Sequence, residues 1–357
     1  MFANIFDFIN TSFNSIICKK DGSLRMLPFL YVLEITYRCN LTCEFCYVGN
    51  KEIKKELSFS NWKKVIDQIP FYGFVSLSGG EPLLHPDFFE ILSYAQQKLF
   101  GKVNVFSNGI LLNNEVVAEL VKRKLLLINI SIDGIGTTHD KLRNREGTFD
   151  KVVSNIENLI SLRKNKFPFV DIQSVVLNEN ISDIPKVYEL ISKLGCNFHT
   201  IALVNNTSLR QNSTFYNDLT DKHLIESYPF TNYLDSQMYK EMYKELMSLQ
   251  KKYHVPIRFK PNYQKGFNYN NIDKFLNSGN ASLVDVYNSC SVMNSRIFVN
   301  PKGIVYPCLS VNMGSISENF NMFEILNSQK YCAFRKKIKD EKLINACQLC
   351  CDLTVKK

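Results

Sequence analysis

Between Phe29 and Leu203 strand-like and helix-like stretches alternate six times at short spacing, and this restricts the fold more than any other feature of the chain. Phe29–Thr36 is rich in β-formers, and Phe74–Ser78, Val103–Phe106, Leu126–Ile132, Val170–Leu177 and Asn197–Leu203 repeat the pattern. The intervening stretches Ser58–Ile69, a segment from Pro86, Asn113–Arg123, Thr148–Leu162 and Ile184–Leu194 carry helical spacing of apolar residues. Such alternation predicts parallel strands joined by right-handed crossovers. A doubly wound open sheet and a partial barrel both satisfy it. The unusual residues fall after strands one to four, at the one end where barrel active sites collect. That favours an α/β chain built as a partial (β/α)6 TIM-like barrel.

The first of those unusual stretches is Tyr37–Tyr47, delivered by the first strand. It holds Cys39, Cys43 and Cys46 in the spacing C-x3-C-x2-C, with Phe45 just before the third cysteine. Three thiolates on one loop suit an iron-sulfur cluster with one iron left open. A structural zinc site wants four closed, tetrahedral protein ligands. A zinc knuckle with a distant fourth ligand, or cysteines that merely pack, are the bland alternatives.

The stretch resembles the cluster loop of the radical S-adenosylmethionine (SAM) superfamily, C-x3-C-x-aromatic-C. The resemblance implies that Cys39, Cys43 and Cys46 bind a [4Fe-4S] cluster whose fourth iron is chelated by SAM, with Phe45 beside the adenine. It also implies reductive cleavage of SAM to a 5′-deoxyadenosyl radical that abstracts hydrogen from the substrate. The run Ser78-Gly79-Gly80-Glu81-Pro82 matches the family's glycine-rich motif after the second strand. Glycines there let backbone approach the methionine end of SAM closely, so Gly79, Gly80 and Glu81 are expected at the cofactor. Ser107 and Asn108, then Ser131 and Asp133, are polar ends of otherwise apolar strands, suited to a ribose or carboxylate or to capping the next loop. Arg143 is placed to pair the SAM carboxylate or a surface acid. His85 and His139 fall near the mouth and are read as structural hydrogen-bonders.

A second cysteine set comprises Cys290, Cys308, Cys347 and Cys350. Arg296–Val299 and Ile304–Tyr306 flank the turn residues Asn300-Pro301-Lys302-Gly303, which predicts a β-hairpin with Cys290 and Cys308 on its flanks. Cys347 and Cys350 form a C-x2-C pair after a helix around Phe323–Asp340. On spacing alone, zinc fits these four thiolates as well as iron and sulfur. The pattern resembles the SPASM extension of radical SAM enzymes, in its shortened Twitch form with one auxiliary [4Fe-4S] cluster. Cys18, Cys196, Cys332 and Cys351 are left as packed or surface thiols.

The expected division is an N-terminal helical segment over 1–28, the barrel core over 29–205, connecting helices and loop over 206–289, and a small cluster-binding hairpin-plus-helix domain over 290–357. Phe2, Ile5, Phe6, Ile9, Phe13, Ile16 and Ile17 recur at helical spacing and are expected to pack on the barrel core. Asn205–Tyr233 reads as a loop. Met238, Tyr239, Met242, Tyr243, Leu246 and Leu249 form a packing stripe, and Asn262–Asn280 reads as a linker or lid.

Charge and cysteine use bound the surroundings. Lys+Arg 43 less Asp+Glu 34 gives +9, which suits an anionic substrate, a peptide or an acidic redox partner. No long basic run argues for nucleic acid, and no apolar run reaches transmembrane length. All cysteines but Cys196 lie towards the two ends, which points to metal binding in a reducing, cytoplasmic setting. The family implies an electron donor such as flavodoxin or ferredoxin. Too few residues precede the first strand for a leader-binding domain with its own core, so a peptide substrate is expected to use a separate leader-binding protein or the barrel mouth itself. The leading expectation is a peptide-modifying radical SAM oxidoreductase or maturase. Its rivals are a dehydrogenase or epimerase of a sugar or other small molecule, and a non-catalytic iron-sulfur or zinc-binding interaction protein.

Overall fold

The computed structural model describes residues 17–46, 48, 55–163, 166–203, 234–263, 272–276, 283–288, 290, 292–308, 311–317, 320–343, 347, 350 and 352–356. Expectations for the N-terminal helix up to residue 16, for the loop at 205–233 and for Cys351 lie outside these residues.

Seven parallel strands stand side by side in chain order: β1 (Leu30–Thr36), β2 (Phe74–Gly79), β3 (Val103–Ser107), β4 (Leu127–Ser131), β5 (Phe169–Val176), β6 (Phe198–Leu203) and β7 (Ile257–Lys260). A doubly wound sheet reverses its strand order at a switch point. No reversal occurs here, so right-handed crossovers stack the helices on one face and curl the sheet into a partial barrel. The helices are α1 (Phe59–Asp67), α2 (Phe88–Lys98), α3 (Asn114–Lys122), α4 (Thr137–Leu142), α5 (Thr148–Leu162), α6 (Ile184–Leu194) and α7 (Ser236–Tyr253).

Period-two alternation sorts the strand residues. Tyr31, Leu33 and Ile35 on β1, Val75 and Leu77 on β2, and Ile128 and Ile130 on β4 are fully buried in the helix-facing core. The concave face takes the other residues and is polar, with Glu34, Ser76, Asn104, Asn129 and Asp171 along it. The stripe on α7 packs as expected, with Tyr239, Met242 and Leu246 buried in a second core.

Two features depart from the sequence expectation. β7 is a seventh barrel strand inside the stretch taken as connecting helices and loop. Part of the expected linker or lid is also ordered backbone: β8 (Asn262–Tyr263) pairs in parallel with β12 (Thr354–Val355), and Ile272–Leu276 is helical.

The hairpin forms as expected, with β9 (Arg296–Val299) antiparallel to β10 (Ile304–Tyr306), and β11 (Gly314–Ser315) beyond it. Gly303 takes φ +83 at the turn, a backbone state that glycine enters freely. β9 also pairs in parallel with β1, from Leu30↔Arg296 to Leu33↔Val299, so ten strands form one sheet. α8 (Met322–Leu326) and α9 (Gln329–Glu341) pack behind the hairpin in the first core.

Candidate functional site

The 39–46 loop leaves the C-terminal end of β1 and is held at its base. Glu56 accepts from the Thr36 hydroxyl at 2.5 Å, the Tyr37 N–H at 3.2 Å and the Arg38 guanidinium at 2.6 Å. The Gly80 N–H donates to the Thr36 carbonyl and the Glu81 N–H to the Arg38 carbonyl, both at 2.8 Å. These bonds require very close backbone approach. A Cβ on Gly79 would stand 2.1 Å from the Thr36 oxygen, and one on Gly80 would stand 2.4 Å from the Arg38 oxygen. The glycines therefore clamp the cysteine loop to β2. Sequence reasoning assigned them only to approach by a cofactor.

The rim is held from two further segments, the turn after β3 and the end of α4. Asn108, after β3, donates through Nδ2 to the Asn40 side chain at 2.7 Å and towards the Cys39 sulfur at 3.9 Å. Arg143, at the end of α4, donates towards the Cys43 sulfur at 3.7 Å and lies 5.3 Å from the centre of the Phe45 ring. Asn144 reaches the Thr42 hydroxyl at 2.9 Å, and Arg145 reaches the Asn40 carbonyl at 3.3 Å. The segment 143–145 thus braces the loop, and only Arg143 was singled out from the sequence.

Cys39 and Cys46 are exposed and Cys43 half-exposed at the mouth. Desolvation pushes the Cys39 and Cys43 thiols up, and the Arg143 charge pulls Cys43 back down. Cys46 lies within electrostatic range of both. Among the described residues no three His, Cys, Asp or Glu side chains stand together as a metal site, so the fit of an iron-sulfur cluster rests on the donor set of the loop. The donor set fits one: three thiols on a single loop, two of them already facing N–H donors that favour anionic sulfur.

Two expected cofactor contacts are committed elsewhere. Asp133 is fully buried, taking the Val175 N–H at 2.8 Å and an ion pair from Arg143, whose Nε lies 2.6 Å away. Burying the carboxylate and guanidinium together removes the need for an external partner, so Arg143 is not free for a SAM carboxylate as expected. Glu81, also fully buried, accepts from the Asn108 N–H at 2.7 Å, the Ser107 hydroxyl at 3.0 Å and the Leu83 N–H at 3.4 Å. Burial pushes its carboxyl up to about 7 against those bonds. What stays half-exposed at the mouth is Ser78, Gly79, Gly80, Phe45 and Ser131. The histidines serve as structure. His85 Nδ1 accepts from the Asp87 N–H at 3.0 Å, and His139 Nδ1 from the Asp133 N–H at 3.1 Å. Burial pushes His139 down to about 4, so it stays neutral at physiological pH.

The second cysteine set lies where the two apolar cores meet. Cys290 packs on both, Cys308 on the first, and Cys347 and Cys350 on the second. Cys308 lies within electrostatic range of Cys290 and Cys347, and burial pushes its thiol well up. Cys350 sits on a turn, its N–H donating to the Cys347 carbonyl at 3.1 Å. An Arg296–Asp352 ion pair stands beside them, a contact between distant positions that no local pattern signals. Of the leftover cysteines, Cys196 is buried, and Cys18 and Cys332 are half-buried.

Two family models match the stretches of chain that hold the two cysteine sets. A family model described as the radical SAM superfamily matches residues 33–191, and one described as an iron-sulfur cluster-binding domain (SPASM) matches 290–351. The chain is 36% identical over 183 residues to the AdoMet-dependent heme synthase of Methanosarcina barkeri, covering 50% of this chain and 51% of that protein. It is 35% identical over 179 residues to the sporulation killing factor maturation protein SkfB of Bacillus subtilis, covering 49% of this chain and 42% of that one. The chain therefore spans about half the length of these curated relatives or somewhat less. Among solved structures it resembles Streptococcus suis SuiB bound to precursor peptide SuiA, with TM-score 0.64 and 16% identity over 88% of this chain and 68% of that one.

Proposed function

The chain belongs to the radical SAM superfamily and carries an SPASM iron-sulfur cluster-binding domain; on that premise we propose that it is a peptide-modifying enzyme that takes hydrogen from an unactivated carbon. The observation that carries this reading is the three-cysteine loop, clamped by Gly79–Gly80 and braced by Asn108 and Arg143, at the C-terminal mouth of a parallel partial barrel. When bound, a reduced [4Fe-4S] cluster and SAM supply a 5′-deoxyadenosyl radical as the hydrogen acceptor.

This chain's residues provide the setting. Cys39, Cys43 and Cys46 would hold the cluster, and the donors Asn108 at Cys39 and Arg143 at Cys43 would favour anionic sulfur there. The half-exposed backbone at Gly79–Gly80, with Phe45 and Ser131, offers the SAM surface. Glu81 fixes the Ser107–Asn108 turn that carries one of those donors. Cys290, Cys308, Cys347 and Cys350 would hold an auxiliary [4Fe-4S] cluster in the seam between the cores, a group that would supply electron transfer to or from the substrate or a flavodoxin- or ferredoxin-type donor.

A peptide substrate is supported by the names of the relatives, a maturation protein and a structure with its precursor peptide. A small-molecule substrate is the second reading, favoured by the heme synthase among the relatives. Anaerobic incubation with SAM and dithionite should release 5′-deoxyadenosine, and none from a fully reconstituted chain would defeat the enzymatic reading. Deuterium-labelled peptides and small molecules then separate the substrates, since only the true one passes deuterium to 5′-deoxyadenosine.

A further inference from the structure

The concave face of the sheet carries an unbalanced positive charge at the β7 edge. On β7 the apolar Ile257 and Phe259 pack on the helix side, so Arg258 and Lys260 point to the concave face by strand alternation. Arg258 forms an ion pair with Asp171 on β5 and lies 5.0 Å from the centre of the Phe198 ring.

Asp171 is engaged mainly by Arg258 and neutral donors, and Lys260 reaches it only through its field. Its carboxylate already accepts from the Thr200 hydroxyl at 3.0 Å and the Gln173 amide at 2.6 Å, as well as from Arg258. Lys260 stands one step nearer the mouth. Its register partner there is Ala202, and beyond Ala202 comes Val175, neither of which carries charge. Among the described residues Lys260 makes no ion pair or hydrogen bond, although it is half-buried. Two cations therefore share one anion on this part of the concave face, which leaves one positive charge in excess.

We propose that Lys260, backed by Arg258, is an anion subsite of the substrate trough that takes an Asp or Glu side chain of the peptide. This rests on the peptide reading above and names the chemistry that the peptide must carry. The subsite lies on the same face and at the same end as the cysteine loop, so a peptide anchored there would run across the barrel mouth. Its selectivity is for carboxylate over the isosteric amide, because an amide leaves the ammonium without a counter-charge.

The test uses the anaerobically reconstituted full chain with SAM. Its probes are a rhodamine-labelled synthetic peptide alternating Glu with Gly and Ser, and the same peptide with Gln at each Glu, read by fluorescence anisotropy. The Glu peptide should bind about tenfold tighter than the Gln peptide. Lys260→Gln should bring that ratio to about one, and Lys260→Arg should keep most of it. Lys122→Gln, which removes a lysine whose side chain is 77% exposed on α3, should leave the ratio unchanged. Equal binding of the two peptides by the unaltered chain overturns the subsite. So does an equal loss in Lys122→Gln, which would mean diffuse surface charge alone. Formation of 5′-deoxyadenosine without peptide is measured on the same samples. Its absence sinks the radical SAM reading, whereas its presence with no preference for Glu sinks only the subsite.

Discussion

The two cysteine sets differ in where their order comes from. The first occupies eight consecutive positions, 39–46, two of its three thiols are exposed, and almost every group that fixes it comes from other segments of the chain. The second is gathered from distant positions and is half-buried between two apolar cores. A loop held by hydrogen bonds at an open mouth can admit a cofactor and release it. Thiols wedged between cores are positioned by packing, which resists exchange. Chemistry at the first set should therefore be sensitive to hydrogen-bonding neighbours, and the second to the integrity of the cores.

The sharpest separation comes from removing each set. Replacing Cys39, Cys43 and Cys46 with Ala should abolish 5′-deoxyadenosine and remove about half of roughly eight irons per chain. Cys308→Ala should also cost about half the iron yet leave SAM cleavage in place, while lowering thermal stability because it disturbs the seam. Loss of SAM cleavage in Cys308→Ala as well would erase the distinction. Roughly four irons with about one zinc in the unaltered chain would make the second site structural.

Next comes Gly80→Ala. Its methyl would meet the Arg38 carbonyl at 2.4 Å, so the loop, rather than SAM contact alone, should suffer. Iron at the first site and SAM cleavage should fall together, by about tenfold or more, with the auxiliary absorption unchanged. Normal iron with weakened SAM binding would return the glycines to a purely cofactor-facing role.

Arg143→Gln leaves Asp133 buried without its cation and should cost about 3–5 kcal/mol in urea unfolding. It should also shift the absorption of the first cluster, since a donor to Cys43 goes with it. The smallest effect belongs to Glu81. Its carboxyl titrates at about 7 when folded against 4.5 as the reference, so between those values the folded chain holds the extra proton. The contribution of this group to stability is then fully present below pH 4.5 and is lost as pH rises through 7. Glu81→Gln should flatten that decline by on the order of 1 kcal/mol between pH 5.5 and 7.5. The triple cysteine variant is the right background, because no cluster is then lost during unfolding at that mouth.

What the sequence made legible was whatever is local. The parallel strands, the cysteine loop, the glycine run and the hairpin each carry their pattern within about a dozen residues. β7 escaped notice because only four residues form it and two of them, Arg258 and Lys260, are cations that do not look like strand interior. Arg143 and Asp133 were both found as site residues, but spacing does not say that a buried pair satisfies itself first. Glu56 and Asp352 gave no signal at all, since their partners come from elsewhere in the chain. The strand order decided barrel over doubly wound sheet, which periodicity alone leaves open.

The parallel pairing of β9 with β1 reaches beyond the site. Leu30 to Leu33 belong to the strand that launches the cysteine loop, and β9 covers the backbone groups along their outer side. A chain cut before residue 290 would leave that side bare, with its N–H and C=O groups facing water beside apolar residues. Such an edge recruits strands from neighbouring molecules. The cluster-binding segment therefore also acts as a guard against self-association, and the shortened barrel should precipitate rather than survive as a smaller enzyme.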